Sequence, residues 1–206
     1  MIKAVIFDLD GVIADSEPLH RTAANMIFSR VGAKPDFDTT GILFREILSR
    51  ISERNGLNLD VESLVQSKFK IMLDIAKVEM DPIENSIELV NSLGDVKLAV
   101  VSSSTRAWVE FVLKKFGIYD RFDAVITADE TKKGKPDAEP YLLASERLKV
   151  LPENCLAIED SCNGITSAKA AGMRCVAFES PNTKNQDLSS ADCSIRSLLE
   201  IRKMVM

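Results

Sequence analysis

Val5-Ile6-Phe7-Asp8-Leu9-Asp10-Gly11-Val12 decides how the rest of the chain is read. Ala4 to Phe7 is a short apolar run with the β-branched content of a buried strand, and it stops abruptly at two aspartates and a glycine. Side chains alternate along an extended chain, so Asp8 and Asp10 leave the strand end on the same side, and Gly11 lets the backbone turn away. Two close carboxylates repel unless a cation, or a proton on one of them, relieves the repulsion. A divalent metal, or a division of labour between an ionised and a protonated acid, answers that repulsion. Taken alone, Asp-Leu-Asp-Gly also suits a solvated turn, so the neighbouring segments carry the decision.

Outward from this strand, Lys97 to Val101, Ala124 to Thr127, Cys155 to Glu159 and Arg174 to Phe178 are further short apolar runs of strand character. Thr105 to Phe116, Glu139 to Leu148 and Asn163 to Ala171 repeat apolar residues at helical spacing between them. This alternation predicts an α/β fold, a Rossmann-like doubly wound parallel sheet with helices on both faces. From about Asp15 to Met80 the pattern changes to three amphipathic helices, Leu19 to Val31, Ile42 to Asn55 and Val61 to Val78, separated by Gly32-Ala33-Lys34-Pro35 and Asn55-Gly56-Leu57-Asn58. The expected division is a core of residues 1–14 and 82–206 with an inserted helical cap domain, residues 15–81. Ile195 to Met206 reads as a short docking helix, and Ser180 to Ser190 as a polar loop.

Three more strand ends carry chemistry. The second strand runs into Ser102-Ser103-Ser104-Thr105, a small-residue turn that opens a helix and offers backbone N–H groups and a hydroxyl to an anion. After the third comes Lys132-Lys133-Gly134-Lys135-Pro136-Asp137, where Pro136 is expected to hold Lys135 extended and Asp137 to cap the next helix. The fourth ends in Glu159-Asp160-Ser161, two acids again. Ligands of open α/β sheets bind outside the carboxyl ends of the strands, so these signals converge on one place. The inventory is a hard-cation site of oxygen ligands beside groups suited to a phosphoryl oxygen.

Bulk properties narrow the classes. The 206 residues are 46% hydrophobic and 28% charged, as in a globular protein. No apolar run reaches the roughly 20 residues that cross a bilayer, and Asp8 interrupts the opening too early for a signal-peptide core. A net charge of -5 gives nucleic acid no general attraction. Cys155, Cys162, Cys175 and Cys193 form no CxxC pair, which, with no export signal, favours a reducing cytoplasm. His20 is the single histidine, so carboxylates must do the work of a hydrolase.

These residues resemble, in order and across nearly the whole chain, the four signature motifs of the haloacid dehalogenase superfamily. Asp8-Leu9-Asp10-Gly11-Val12 looks like the first, Ser102 the second, Lys135 the third and Glu159-Asp160 the fourth. The helical insertion, with Asp15-Ser16-Glu17-Pro18-Leu19-His20, is similar to the branch that contains β-phosphoglucomutase and many small-molecule phosphatases. The resemblance implies in-line attack by Asp8 on phosphorus to form an aspartyl-phosphate, with Asp10 as general acid and base. It implies Mg2+ held by the Asp8 carboxylate, the Asp10 backbone carbonyl and Asp160, with Glu159 ligating directly or through water. Ser102 and Lys135 would bind phosphoryl oxygens, with Ser103 and Ser104 in lesser roles. His20 is expected to orient Asp10 or contact substrate, and Arg45 to meet a distal phosphate. Relatives that are mutases carry a lysine in the cap; Lys68 and Lys70 lie near that place but not in clear register.

The expected activity is therefore phosphatase action on a small phosphomonoester of sugar-phosphate or phosphoglycolate type. The alternative is a β-phosphoglucomutase-like sugar phosphomutase, in which a sugar hydroxyl replaces water as the second attacker. A non-catalytic phospho-ligand sensor resembling a receiver domain fits less well, because receivers are shorter and lack the insertion. Dehalogenase chemistry is disfavoured by Asp10, which true dehalogenases lack. Expected partners are a small phosphorylated molecule, with no nucleic acid and no membrane, and a monomeric or small homo-oligomeric state.

Overall fold

Ala4–Phe7 (β1) is buried at every position, as a strand covered on both faces must be. In the computed structural model, which describes residues 1–37, 44–180, 183 and 186–205, it lies inside a sheet with Lys97–Val101 (β2), Ala124–Ile126 (β3), Cys155–Glu159 (β4), Arg174–Phe178 (β5) and Cys193–Ile195 (β6). The strands are all parallel in the order β3-β2-β1-β4-β5-β6. Register places Val5 opposite Leu98 on one side of β1 and Phe7 opposite Ile158 on the other. The chain divides into two compact units, Met1–Asp15 with Asp81–Met206, and Ser16–Met80.

In the sheet unit, Arg106–Lys115 (α5), Glu139–Leu148 (α6) and Cys162–Ala170 (α7) connect the strands. Their apolar stripes supply Trp108, Val109, Val112 and Leu113 from α5 and Tyr141, Ala144 and Leu148 from α6 to the core. Two elements were not read from the sequence. Ser86–Ser92 (α4) is a seven-residue helix, too short for a clear apolar period. Cys193–Ile195 (β6) is the other: the docking helix expected over Ile195 to Met206 begins later, because Ile195 pairs beside Phe178 as the end of this strand. The helical part that follows is a 3-10 turn, Leu198–Ile201, leading into Arg202–Val205 (α8), with Leu198 and Ile201 fully buried.

The edge strand β3 has three residues, and its outward carbonyl at Val125 accepts from Arg106 Nη2 at 3.0 Å and Arg147 Nη1 at 3.3 Å. Both guanidinium groups also pair with Glu130. One carbonyl that an open edge would otherwise present to another strand is thereby engaged.

The other unit consists of Glu17–Val31 (α1), Phe44–Asn55 (α2) and Val61–Glu79 (α3). Ile42 and Leu43, expected at the start of the second helix, lie outside the described residues. Pro18 and Glu17 sit in the first turn of α1, and Gly32 closes it in the left-handed region, φ +69°, with its N–H on Phe28 O. Asp60 caps α3 by accepting from the Ser63 N–H. Ile27, Phe28, Ile47, Leu48 and Ile51 form this unit's own apolar cluster. Among the described residues no helix is long and apolar enough to cross a membrane.

Candidate active site

Strands β1 and β4 are neighbours, but the chain reaches β4 only after building outward through β2 and β3. This is the point where the winding of the sheet reverses, and open α/β sheets hold ligands there, beyond the strand ends. Asp8 is the first residue past β1, and its N–H donates to Ile158 O at 3.0 Å. Glu159 is the last residue of β4, so the two carboxylates emerge side by side; Asp8 is buried and Glu159 wholly so.

Lys135 joins them. Its Nζ donates to Asp8 Oδ1 at 2.6 Å, to Glu159 Oε1, and to the Val101 carbonyl at the end of β2 at 3.0 Å. One ammonium thus ties three strand ends together. The Lys135–Pro136 peptide bond is cis, and Asp137 Oδ1 accepts from the Glu139 N–H at the start of α6, the capping role expected of it. Glu159 is further held by the Tyr141 hydroxyl on Oε1 at 2.8 Å and by Ser161 Oγ on Oε2 at 2.9 Å. The Asp160 and Ser161 N–H groups reach Oε2 at 3.2 and 3.3 Å. Both Glu159 oxygens are therefore occupied by protein donors.

Burial pushes the Asp8 carboxyl well above the ordinary range; Lys135 opposes the rise, while the charges of Glu159, Asp160 and Asp10 add to it. Asp160 is pushed up to about 7, by burial first and then by Glu159. Burial works against the charge on Lys135, yet Asp8 and Glu159 outweigh it and hold the ammonium more firmly protonated than usual. Burial, then Glu159, raises the Tyr141 phenol, which stays a hydrogen-bond donor.

Asp8, Glu159 and Asp160 offer carboxylate oxygens within 4.8 Å of one another. Ionised together, they exceed the single Lys135 charge by two, a deficit that a divalent cation matches, and oxygen-only donors suit Mg2+. The site is shaped around these acids. A Cβ on Gly11, which has φ +94°, would stand 2.0 Å from Asp160 Oδ2, and one on Gly164 would stand 1.8 Å from Glu159 Oε1. The donor set thus fits the metal that the sequence implied.

The Asp10 carboxylate faces the start of α5. Ser104 Oγ donates to its Oδ2 at 2.8 Å, Ser102 Oγ approaches the same atom at 3.4 Å, and Trp108 Nε1 donates to Oδ1 at 3.0 Å. Ser102 is buried and accepts the Ser104 N–H, whereas Ser103 is exposed. The structure therefore brings Asp8, Asp10, Ser102, Lys135, Glu159 and Asp160 to one end of the sheet. Tyr141 and Trp108 were missed because each lies on the apolar stripe of its helix and reads as core; the one signal available was that a buried phenol or indole needs a partner for its polar atom.

In the helical unit, His20 Nδ1 on α1 lies 3.0 Å from Lys68 Nζ on α3, and that ammonium sits 4.8 Å from the centre of the Phe44 ring. Lys68 thus takes a defined place that its sequence register had not made clear. Arg45 on α2 is exposed and pairs with Glu62 on α3.

Residues 5–178 match the model of the haloacid dehalogenase-like hydrolases. A phosphorylated-carbohydrates phosphatase from Thermotoga maritima is 34% identical over 84% of this chain and 82% of its own length. Fructose-1-phosphate phosphatase YqaB from Escherichia coli is 33% identical over 84% of this chain and 94% of its own. Among solved structures, CbbY from Rhodobacter sphaeroides in complex with phosphate superposes with a TM-score of 0.80 at 29% identity, covering 98% of this chain and 96% of that one.

Proposed function

The chain belongs to the haloacid dehalogenase-like hydrolase family, and on that premise we propose that it is a magnesium-dependent phosphatase of small phosphomonoesters, of sugar-phosphate or phosphoglycolate type. The observation that carries the reading is Asp8 gripped by Lys135 beside Glu159 and Asp160 at the reversal point of the sheet. Relatives that share a third of their residues and act on phosphorylated carbohydrates support the substrate class.

In this reading Asp8 attacks phosphorus and forms an aspartyl-phosphate as the ester P–O bond breaks. Asp10 gives its proton to the departing alcohol oxygen, then accepts one from the water that attacks the same phosphorus, and free phosphate leaves Asp8 as it was. Lys135 and Ser102 bind the phosphoryl oxygens. Asp8, Asp160 and the Asp10 backbone carbonyl would hold Mg2+, with Glu159 behind them, and a bound ion would supply positive charge against that of the acids and the phosphoryl group. Glu159, its oxygens committed to Lys135, Tyr141 and Ser161, serves chiefly to fix Lys135. A reducing cytoplasm and a small diffusible substrate, with neither nucleic acid nor membrane as partner, belong to the same reading, as does a monomer or small homo-oligomer.

A second reading, sugar phosphomutase, is favoured by the placement of Lys68 against His20 in the helical unit. The two readings part at the second attacker. Phosphate release from a panel of sugar phosphates and phosphoglycolate, measured with Mg2+ and with chelator, tests the first: release that stops on chelation is expected. Isomerisation of a hexose phosphate without release would replace hydrolysis by transfer, and release indifferent to chelator would overturn the metal assignment.

A further inference from the structure

The geometry points to Trp108 as a positioning residue for Asp10, its indole N–H fixing that carboxylate in one orientation and giving its two oxygens different tasks. The inference rests on Asp10 being the acid and base of the proposed phosphatase. Trp108 lies in the first turns of α5, is 1% exposed, and packs against the Phe111 ring with centroids 6.1 Å apart. A buried indole needs a partner for its N–H. Here that partner is Asp10 Oδ1, at 3.0 Å.

The two sides of the carboxylate meet different chemistry. Indole nitrogen donates and does not accept, so Oδ1 is kept as an acceptor whatever the state of the acid. The other oxygen, Oδ2, faces Ser104 Oγ at 2.8 Å and Ser102 Oγ at 3.4 Å. A hydroxyl can turn from donor to acceptor, so Oδ2 is the oxygen that can carry a proton without losing its partner. The proton leaves Oδ2 for the alcohol oxygen as the ester P–O bond breaks. It is replaced on Oδ2 by one from the water whose oxygen bonds to phosphorus. Asp10 stands just beyond β1, where the chain has begun to turn, and a rigid buried donor removes orientational freedom that would otherwise be lost during each turnover.

The chain has one tryptophan, so the test can be made at a single atom. Replacing Trp108 by 3-benzothienylalanine puts sulfur where the N–H stands and keeps the ring shape. With Mg2+ present, kcat for the best phosphomonoester is expected to fall about tenfold with KM changed less than about twofold, and Trp108→Phe is expected to move the same way. Independently of turnover, the lone indole 1H–15N resonance of the substrate-free protein should move upfield in Asp10→Ala. An unchanged kcat in the benzothienyl protein, or an indole resonance indifferent to Asp10→Ala, overturns the inference. If the wild type releases no phosphate while the resonance still moves, the phosphatase reading fails and the Trp108–Asp10 pairing stands.

Discussion

The strand ends of the sheet unit and the surface of the helical unit hold their charges in opposite ways. At the end of the sheet, Lys135, Asp8 and Glu159 have side chains 6%, 10% and 0% exposed and share hydrogen bonds with one another and with Tyr141. In the helical unit, Arg45–Glu62, Arg50–Glu46, Arg54–Asp36 and Lys77–Asp74 are pairs whose side chains are each about half exposed or more. Buried charges without partners are costly, so the first group is a network in which each member depends on the others; the exposed pairs are screened by water and contribute little. The buried charges at the sheet end are therefore hard to replace one at a time, whereas the exposed pairs of the helical unit can be replaced at little cost in stability.

The comparison can be broken most severely at Asp8. Asp8→Asn should lower phosphate release by about 10^4-fold or more, while urea unfolding shows stability kept or raised, because the buried negative charge is gone. Loss of activity together with loss of folding would assign Asp8 a structural role instead. Lys135→Met leaves Asp8 and Glu159 facing each other without a cation, and equilibrium unfolding without Mg2+ should show a loss of about 3–5 kcal/mol. Tyr141→Phe removes a donor from a buried carboxylate and should cost about 1.5–3 kcal/mol in the same measurement.

Glu130 stands between the extremes. Burial would raise its pKa, but Arg147 and Arg106 outweigh burial and hold it below its ordinary 4.5. A carboxyl lowered on folding stabilises the protein above the unfolded value, and that contribution is lost as pH falls through the folded one. The stability gap between wild type and Glu130→Gln should therefore be widest above about pH 4.5 and narrow below it in a series of thermal melts. A gap unchanged down to acid pH would mean the pairs contribute nothing. Arg45→Ala should give the smallest effect, a melting shift below about 2 °C; a shift comparable to Tyr141→Phe would erase the contrast between the units.

The sheet end was legible because strand periodicity and strand-end chemistry coincide at the same residues. Asp8, Ser102 and Glu159 each stand where an apolar run stops, so position and reactivity were read together, whereas Lys135 lies in the polar turn between the third run and the next helix and was read from its lysine-glycine-lysine-proline setting. Tyr141 and Trp108 do their polar work from inside apolar stripes, and periodicity assigns such residues to the core. Lys68 faces His20 across 48 positions, a separation that no local pattern encodes. The short β6 failed for a simpler reason: three residues carry too little alternation to distinguish strand from helix.

Val125, with its carbonyl shared between Arg106 and Arg147, has a bearing on how the protein behaves in a crowded solution. An uncovered parallel edge can recruit the edge of another molecule and seed growth of assemblies that serve no purpose. Two arginines from different helices, kept in place by one glutamate, make that edge a poor template for a stranger. Loss of the clasp is therefore expected to be visible as turbidity at high concentration.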